Sequence, residues 1–348
     1  MITDLTRDRF PGFSAVVAGA DGGPWLVLTH DNPDPDALAS AAVLARILDH
    51  RFGQRATCGY GGIIGRAENR EMVRTLGLEL THLRHLSFAR FGRFALVDTQ
   101  PATGNNQLPR QLVPDVVFDH HPRRRATAAA RFVDVRTEYG ATATILGEYL
   151  EASGLEPTRA LATALVYALR SETQDFRRES AGPDKDLYDR LLPVVDKRAL
   201  ARIQSSRLPL EYFRNLHTAL ENLATVETLI VSHLGVLEQP DIVPEIADLL
   251  LRLEGKTWSM CTGVYGDRVY LSIRTTNVRA DAGRIMRRLV ARSGKGGGHG
   301  MLAGGWVQIT PGWAEQPRDL QEQLARRLAR ALEKNPERLQ RLELTAPS

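Results

Sequence analysis

The chain has 348 residues, too many for one typical core, so two domains are expected. Hydrophobic content of 43%, charged content of 25% and a net charge of +4 describe a globular protein with a mild leaning toward anionic partners, and no apolar run approaches the ~20 residues of a membrane span. Its two cysteines, Cys58 and Cys261, lie far apart and outside any Cys-x-x-Cys; this excludes a disulfide framework or a Cys-based zinc finger and fits a cytoplasmic location.

The opening Met1-Ile2-Thr3-Asp4 has no basic stretch followed by an apolar core, so no signal peptide is expected. Trp25 to Thr29 reads as a short buried strand running into His30-Asp31-Asn32-Pro33-Asp34-Pro35-Asp36. Pro33 and Pro35 favour extended geometry before them, so Asp34 and Asp36 are expected on a stiff loop, with helix from Ala37 to His50 and Gly53 closing it. A strand at 55–60, a helix at 67–76, and apolar strands at 94–97 and 115–118 follow; the last two end in Asp98 and in Asp119-His120-His121. Helices are expected at 140–152, 158–169, 184–192 and 197–203. The segment 210–222 reads as a helix connecting the two domains.

A second unit begins near Thr225 with strands at 228–234 and 236–237, a helix at 242–253, and a hairpin of 258–264 with 269–273 about Gly266-Asp267. A helix at 280–291, a glycine run from Gly294 to Gly305, a strand at 306–310 and a charged helix at 316–332 complete it. The expected fold is α/β: a mostly parallel N-terminal sheet with helices on both faces over 1–196, a helical linker over 197–224, and a smaller α/β domain over 225–348.

Three apolar strands therefore end in groups fit to bind a divalent cation: His30/Asp34/Asp36, Asp98, and Asp119/His120/His121. In a parallel sheet the C-terminal strand ends share one edge, so residues ~60–90 positions apart can converge. Read singly, each is also a plain turn: Asp36 as a helix cap, His120-His121 as a surface turn before Pro122. Arg123-Arg124-Arg125 reads as a solvated loop, the commoner case, or as a patch steering an anionic substrate.

The combination resembles the DHH phosphoesterase superfamily, through His30-Asp31-Asn32-Pro33-Asp34-Pro35-Asp36, Val97-Asp98-Thr99 and Asp119-His120-His121. The second unit resembles that family's associated C-terminal domain through Leu271-Ser272-Ile273-Arg274-Thr275 and Gly296-Gly297-Gly298-His299. The resemblance spans roughly residues 24–310 and is nearest to the two-domain nanoRNase / pAp phosphatase branch. It implies one metal held by His30, Asp34 and Asp98 and a second held by Asp36, Asp98 and His120, with Asp98 bridging. The family's further Asp is replaced here by Glu172, and Asp175 is the rival ligand. Two Mn²⁺ ions are implied, with Mg²⁺ as the alternative.

The same resemblance implies that Asp119 orients an imidazole and that His121 contacts the scissile phosphate or protonates the leaving group. Arg274, Lys295, Gly296, Gly297, Gly298 and His299 would grip the substrate phosphate. The implied reaction is hydrolysis of very short RNA to nucleoside 5′-monophosphates, with 3′-phosphate removal from pAp as a second activity. A cyclic dinucleotide such as c-di-AMP is the alternative substrate. A nucleotide-binding regulatory module that has lost catalysis is the alternative of another class, motivated by Glu172. The expected partner is short RNA or a nucleotide, with no membrane, and the resemblance leaves room for a homodimer.

Overall fold

The structure is a computed structural model describing residues 2–19, 23–177, 180–291, 293–309 and 317–344. It separates into two compact units, Met1–Ser206 and Arg207–Ser348.

The first unit runs α1 (Asp4–Ala18), β1 (Trp25–Leu28), α2 (Pro35–Phe52), β2 (Ala56–Tyr60), α3 (Ala67–Leu76), β3 (Leu80–His82), β4 (Arg93–Val97), β5 (Val116–Asp119), β6 (Phe132–Val135), α4 (Thr142–Ala152), α5 (Arg159–Thr173), α6 (Gly182–Leu191) and α7 (Lys197–Gln204). Its six strands form one sheet in the order β3-β2-β1-β4-β5-β6, every neighbouring pair parallel. The order reverses between β1 and β4, and open α/β sheets bind ligands beyond the strand ends at such a switch point.

Alternate residues of β1 face opposite ways. Trp25 and Val27 join the core formed with the helices, while Leu26 and Leu28 pack with Phe94, Leu96 and Val117 on the other face. That second face is covered by Leu108, Leu112 and Ala130 from the β4–β5 and β5–β6 crossovers, which contain no α-helix. α-Helices therefore cover one face of this sheet, where helices were expected on both. α1, unread in the sequence because Pro11 interrupts its pattern, starts from a Thr3 cap and buries Phe13 edge-on against Phe52, Phe118, Phe132 and Tyr149. Truncating Phe13 to Ala would cost about 3–5 kcal/mol.

The second unit runs α8 (Leu210–Glu221), β7 (Ala224–Val226), β8 (Leu229–Val236), α9 (Ile242–Leu250), β9 (Trp258–Tyr265), β10 (Arg268–Thr275), α10 (Ala282–Val290), β11 (Gly294–His299), β12 (Leu302–Gln308), α11 (Pro317–Ala331) and β13 (Gln340–Arg341). Its sheet has the order β11-β12-β10-β9-β8-β7-β13, antiparallel except for β8 with β9. Buried residues of α10 and α11 share one core, and those of α8 and α9 share another with the opposite faces of β8 and β9.

Two expectations are corrected. The linker over 197–224 is not a separate element: α7 buries Ala199, Leu200 and Ile203 in the first unit, and α8 buries Ala219 in the second. The boundary falls at Ser206/Arg207, because each helix has an apolar face that needs a core. The glycine run is a strand pair, β11 with β12. Thr310 and Gln316, expected in a strand and a helix, lie outside the described residues.

Candidate metal centre

The rim is built by strand ends. β1 stops before Thr29, and α2 begins at Pro35 with Asp34 as its N-cap, accepting from Ala37 N at 3.0 Å. Asp36 therefore stands in the first helical turn, not on a loop as expected, since proline at the first helical position supplies the required φ and has no N–H to leave unpaired. β4 ends at Val97, and Asp98 takes a left-handed backbone (φ 56°) that swings its carboxylate out of the strand direction. β5 ends in Asp119, followed directly by the two histidines.

Asp98, 2% exposed, is where these segments meet. Its Oδ2 lies 3.4 Å from His30 Nε2, and its Oδ1 lies 3.7 Å from His120 Nε2 and 3.6 Å from His121 Nδ1. His30 Nε2 is also 3.7 Å from Asp34 Oδ1. Ligand atoms of His30, Asp34 and Asp98 lie within 4.8 Å of one another, as do those of Asp98, His120 and His121. Asp36 Oδ2 is 3.9 Å from His120 Nε2.

Supports behind the rim set the orientation of each group. Asp36 accepts from Thr142 N at 2.8 Å and Ala143 N at 2.7 Å, so the N-terminus of α4 holds its charge in place. Thr142 Oγ1 donates to Asp98 Oδ1 at 3.0 Å. The Tyr139 carbonyl lies 3.1 Å from His120 Nδ1, and the Asp31 carbonyl 2.9 Å from His30 Nδ1. A carbonyl only accepts, so both rings carry their proton on Nδ1 and turn Nε2 toward the acids, the arrangement expected of metal-binding imidazoles. Asp119 Oδ1 is 2.8 Å from His121 Nδ1, and Gln100 Nε2 donates to Asp119 Oδ2 at 2.5 Å.

Crowded acids shape the electrostatics. Burial, then the neighbouring Asp98, pushes the Asp36 carboxyl well above its ordinary range; burial, then Asp34, pushes Glu172 up. Burial opposes charging of His30, yet its contacts with Asp34 and Asp98 win and raise it well above normal. Burial lowers His121, but the Asp119 hydrogen bond together with the charges of Asp98, Asp119 and Glu172 pushes it up to about 9. Burial pushes Asp119 up, but the His121 hydrogen bond, the charges of His121 and His120 and the Gln100 hydrogen bond together bring it down.

A divalent cation fits this set. Among the described residues, His120 Nε2 is buried with no hydrogen-bond partner, an orphan that costs about 1–3 kcal/mol until a ligand engages it. Carboxylates packed this closely also repel until a cation neutralises them. His30, Asp34, Asp36, Asp98, His120 and Glu172 could hold it. Glu172 is electrostatically engaged with Asp34, Asp98, His120 and His121, whereas the exposed Asp175 is paired with Arg170 Nε at 2.6 Å and turns away from the ligand role.

Residues 24–169 match the model of the DHH family, N-terminal domain, and residues 227–330 match the DHHA1 domain. The chain belongs to the DHH phosphoesterase superfamily. An uncharacterized protein of Methanocaldococcus jannaschii is 35% identical over 288 residues, covering 82% of this chain and 58% of that protein. The A-adding tRNA nucleotidyltransferase of Geobacter sulfurreducens is 23% identical over 297 residues, covering 81% of this chain and 32% of the enzyme. The chain thus spans between a third and three-fifths of the length of these curated relatives. An exopolyphosphatase-related protein from Bacteroides fragilis shares the fold, with a TM-score of 0.72 at 14% identity over 96% of this chain and 99% of that one.

The DHHA1 unit treats its expected phosphate ligands unevenly. Arg274 is 8% exposed, its Nε donates to Asp248 at 2.9 Å, and its Nη1 donates to the Ile273 carbonyl at 3.0 Å, so the guanidinium is tied into the fold. Lys295 is exposed on β11. A Cβ at Gly296 would press on Met286 of α10, and Gly298 (φ +132°) lies against Leu302, so packing accounts for both; Gly297 has open space around it. His299 closes β11, and its side chain lies outside what is described.

Sequence reasoning missed Gln100 and Tyr139. Gln100 follows the Val97-Asp98-Thr99 motif directly, and its nearness to Asp98 was the one available signal. Tyr139 acts through a backbone carbonyl that any residue could supply.

Proposed function

We propose that this chain is a divalent-metal phosphodiesterase that hydrolyses short oligoribonucleotides to nucleoside 5′-monophosphates, with removal of the 3′-phosphate of pAp as a second activity, and that Mn²⁺ is its metal. The observation that carries this reading is Asp98, whose two carboxylate oxygens lie toward His30 on one side and toward His120 and His121 on the other. Bound cations would supply Lewis-acid polarisation of the phosphate and a water acidified enough to attack near neutral pH.

The chain's own residues do the rest. His30, Asp34 and Asp98 form one ligand group; His120, Asp98, Asp36 and Glu172 form the other. The carbonyls behind His30 and His120 hold the rings in the ligating tautomer. His121 is half-exposed, and its imidazolium is stabilised by Asp119, so it can donate to a phosphate oxygen or to the departing alkoxide. Within the second unit, Lys295 and the open backbone at Gly297 suit contact with an anion.

The test is turnover by purified protein of dinucleotides, pAp and c-di-AMP with Mn²⁺, Mg²⁺ or chelator. Release of mononucleotides from the linear substrates, lost with chelator, is the expected result. Turnover of c-di-AMP alone would replace the substrate, and metal binding without any turnover would leave a binding module.

A further inference from the structure

Just past His121 and Pro122, the chain presents three consecutive arginines at the mouth of β5. Arg123, Arg124 and Arg125 are all exposed, and among the described residues no ion pair or side-chain hydrogen bond engages any of the three guanidiniums. Arg131 and Arg136, a few residues on, are paired with Asp115 and Asp134. Adjacent like charges repel, and a surface loop normally relaxes such repulsion by moving.

This loop is tethered instead. Gln100, 1% exposed, donates from Nε2 to the carbonyls of His121 and Pro122, both at 3.3 Å, and to Asp119 Oδ2. Its Oε1 accepts from Arg124 N and from Thr127 Oγ1, both at 2.7 Å. One buried amide therefore ties the backbone carrying the arginines to the carboxylate that orients His121. Arg123 is two residues from His121, so their Cα atoms are within about 7 Å.

We infer that Arg123–Arg125 form an anion subsite for a second phosphate, the one next to the phosphate being cleaved. Guanidinium groups bind phosphate in a bidentate manner and stay charged at any physiological pH. The loop would make the protein favour substrates carrying an additional terminal phosphate over those with a single internal linkage. The inference rests on the phosphodiesterase reading for the scissile phosphate, and it is tested so that the two can fail separately.

The measurement is kcat/KM for the dinucleotides ApA, pApA and ApAp, in wild type and in the combined Arg123→Ala/Arg124→Ala/Arg125→Ala variant. The wild type is expected to prefer pApA or ApAp over ApA by about 10- to 100-fold, and the preferred isomer tells on which side the loop sits. In the variant this ratio should fall toward one. The matching Arg→Lys combination should keep part of it, because it retains charge and loses the bidentate fork. A parallel arm titrates the same three dinucleotides onto metal-free protein by calorimetry and needs no turnover. If no dinucleotide is cleaved but pApA or ApAp binds more tightly in wild type alone, the function above fails and the subsite stands. Equal treatment of the three dinucleotides by the wild type, or an unchanged ratio in the variant, overturns the subsite.

Discussion

The first unit holds two buried polar clusters, and they solve burial in opposite ways. Around Arg136, 1% exposed, the guanidinium donates to Asp134, Glu148, Thr6 and the Tyr139 hydroxyl, while Asp134 also accepts from Tyr149. That cluster brings its own cation and is complete. At the rim, Asp34, Asp36, Asp98, Asp119 and Glu172 face three imidazoles, and among the described residues His120 Nε2 has no hydrogen-bond partner. An internally satisfied cluster holds a fold together, whereas an unsatisfied one marks where something from outside must bind.

Substitutions should separate the two sharply. Asp98→Ala should reduce turnover by at least about 10³-fold, since both ligand groups share that residue. The same change should leave the metal-free fold equally stable or slightly more stable in denaturant titrations, because it removes one of several repelling charges. Arg136→Met should do the reverse to stability and lower it by about 3–5 kcal/mol, since Asp134 and Glu148 would then be buried without their cation. If Asp98→Ala destabilised the metal-free protein as much as Arg136→Met does, the distinction between the clusters would collapse.

Adding Mn²⁺ sharpens the contrast further. At about 100 times its Kd, the ion should stabilise the wild type by roughly 2.7 kcal/mol, seen as a rise in Tm, and Asp98→Ala should show little of it. Uptake should also release protons. His30, His120 and Asp36 all have raised pKa values without metal, so each holds a proton to higher pH than usual and must lose it to become a ligand. Apparent affinity therefore rises with pH through the neutral range, and calorimetry in buffers of different ionisation enthalpy would read the protons directly. The smallest effect is expected at the neighbouring acids of α5 and its end. Glu172→Gln should weaken Mn²⁺ binding about 10- to 100-fold, and Asp175→Asn, which loses only a surface pair, should change it hardly at all.

The residues that end strands were legible in the sequence, because apolar β runs and the acids or imidazoles that stop them sit side by side in the chain. Their convergence followed from parallel pairing, which the structure confirms at β1, β4 and β5. What sets their orientation was not legible. Asp36 is held by backbone N–H groups of residues 142 and 143, more than a hundred positions away, and a backbone donor leaves no mark on residue type. The strand β11 was hidden for a related reason: a Cβ at Gly294 would run into the Trp306 carbonyl, so packing demanded the glycines that make the segment read as a loop. The pairing of Arg274 with Asp248 was not legible either, because the two are 26 residues apart in sequence.

The place where the chain divides has an evolutionary consequence. Every side chain proposed to hold an ion comes from before Ser206, and the glycine-rich strand comes wholly after it. Recombination at that joint could exchange the downstream module while inheriting the reactive centre intact, so a lineage could acquire a new target without reinventing its chemistry.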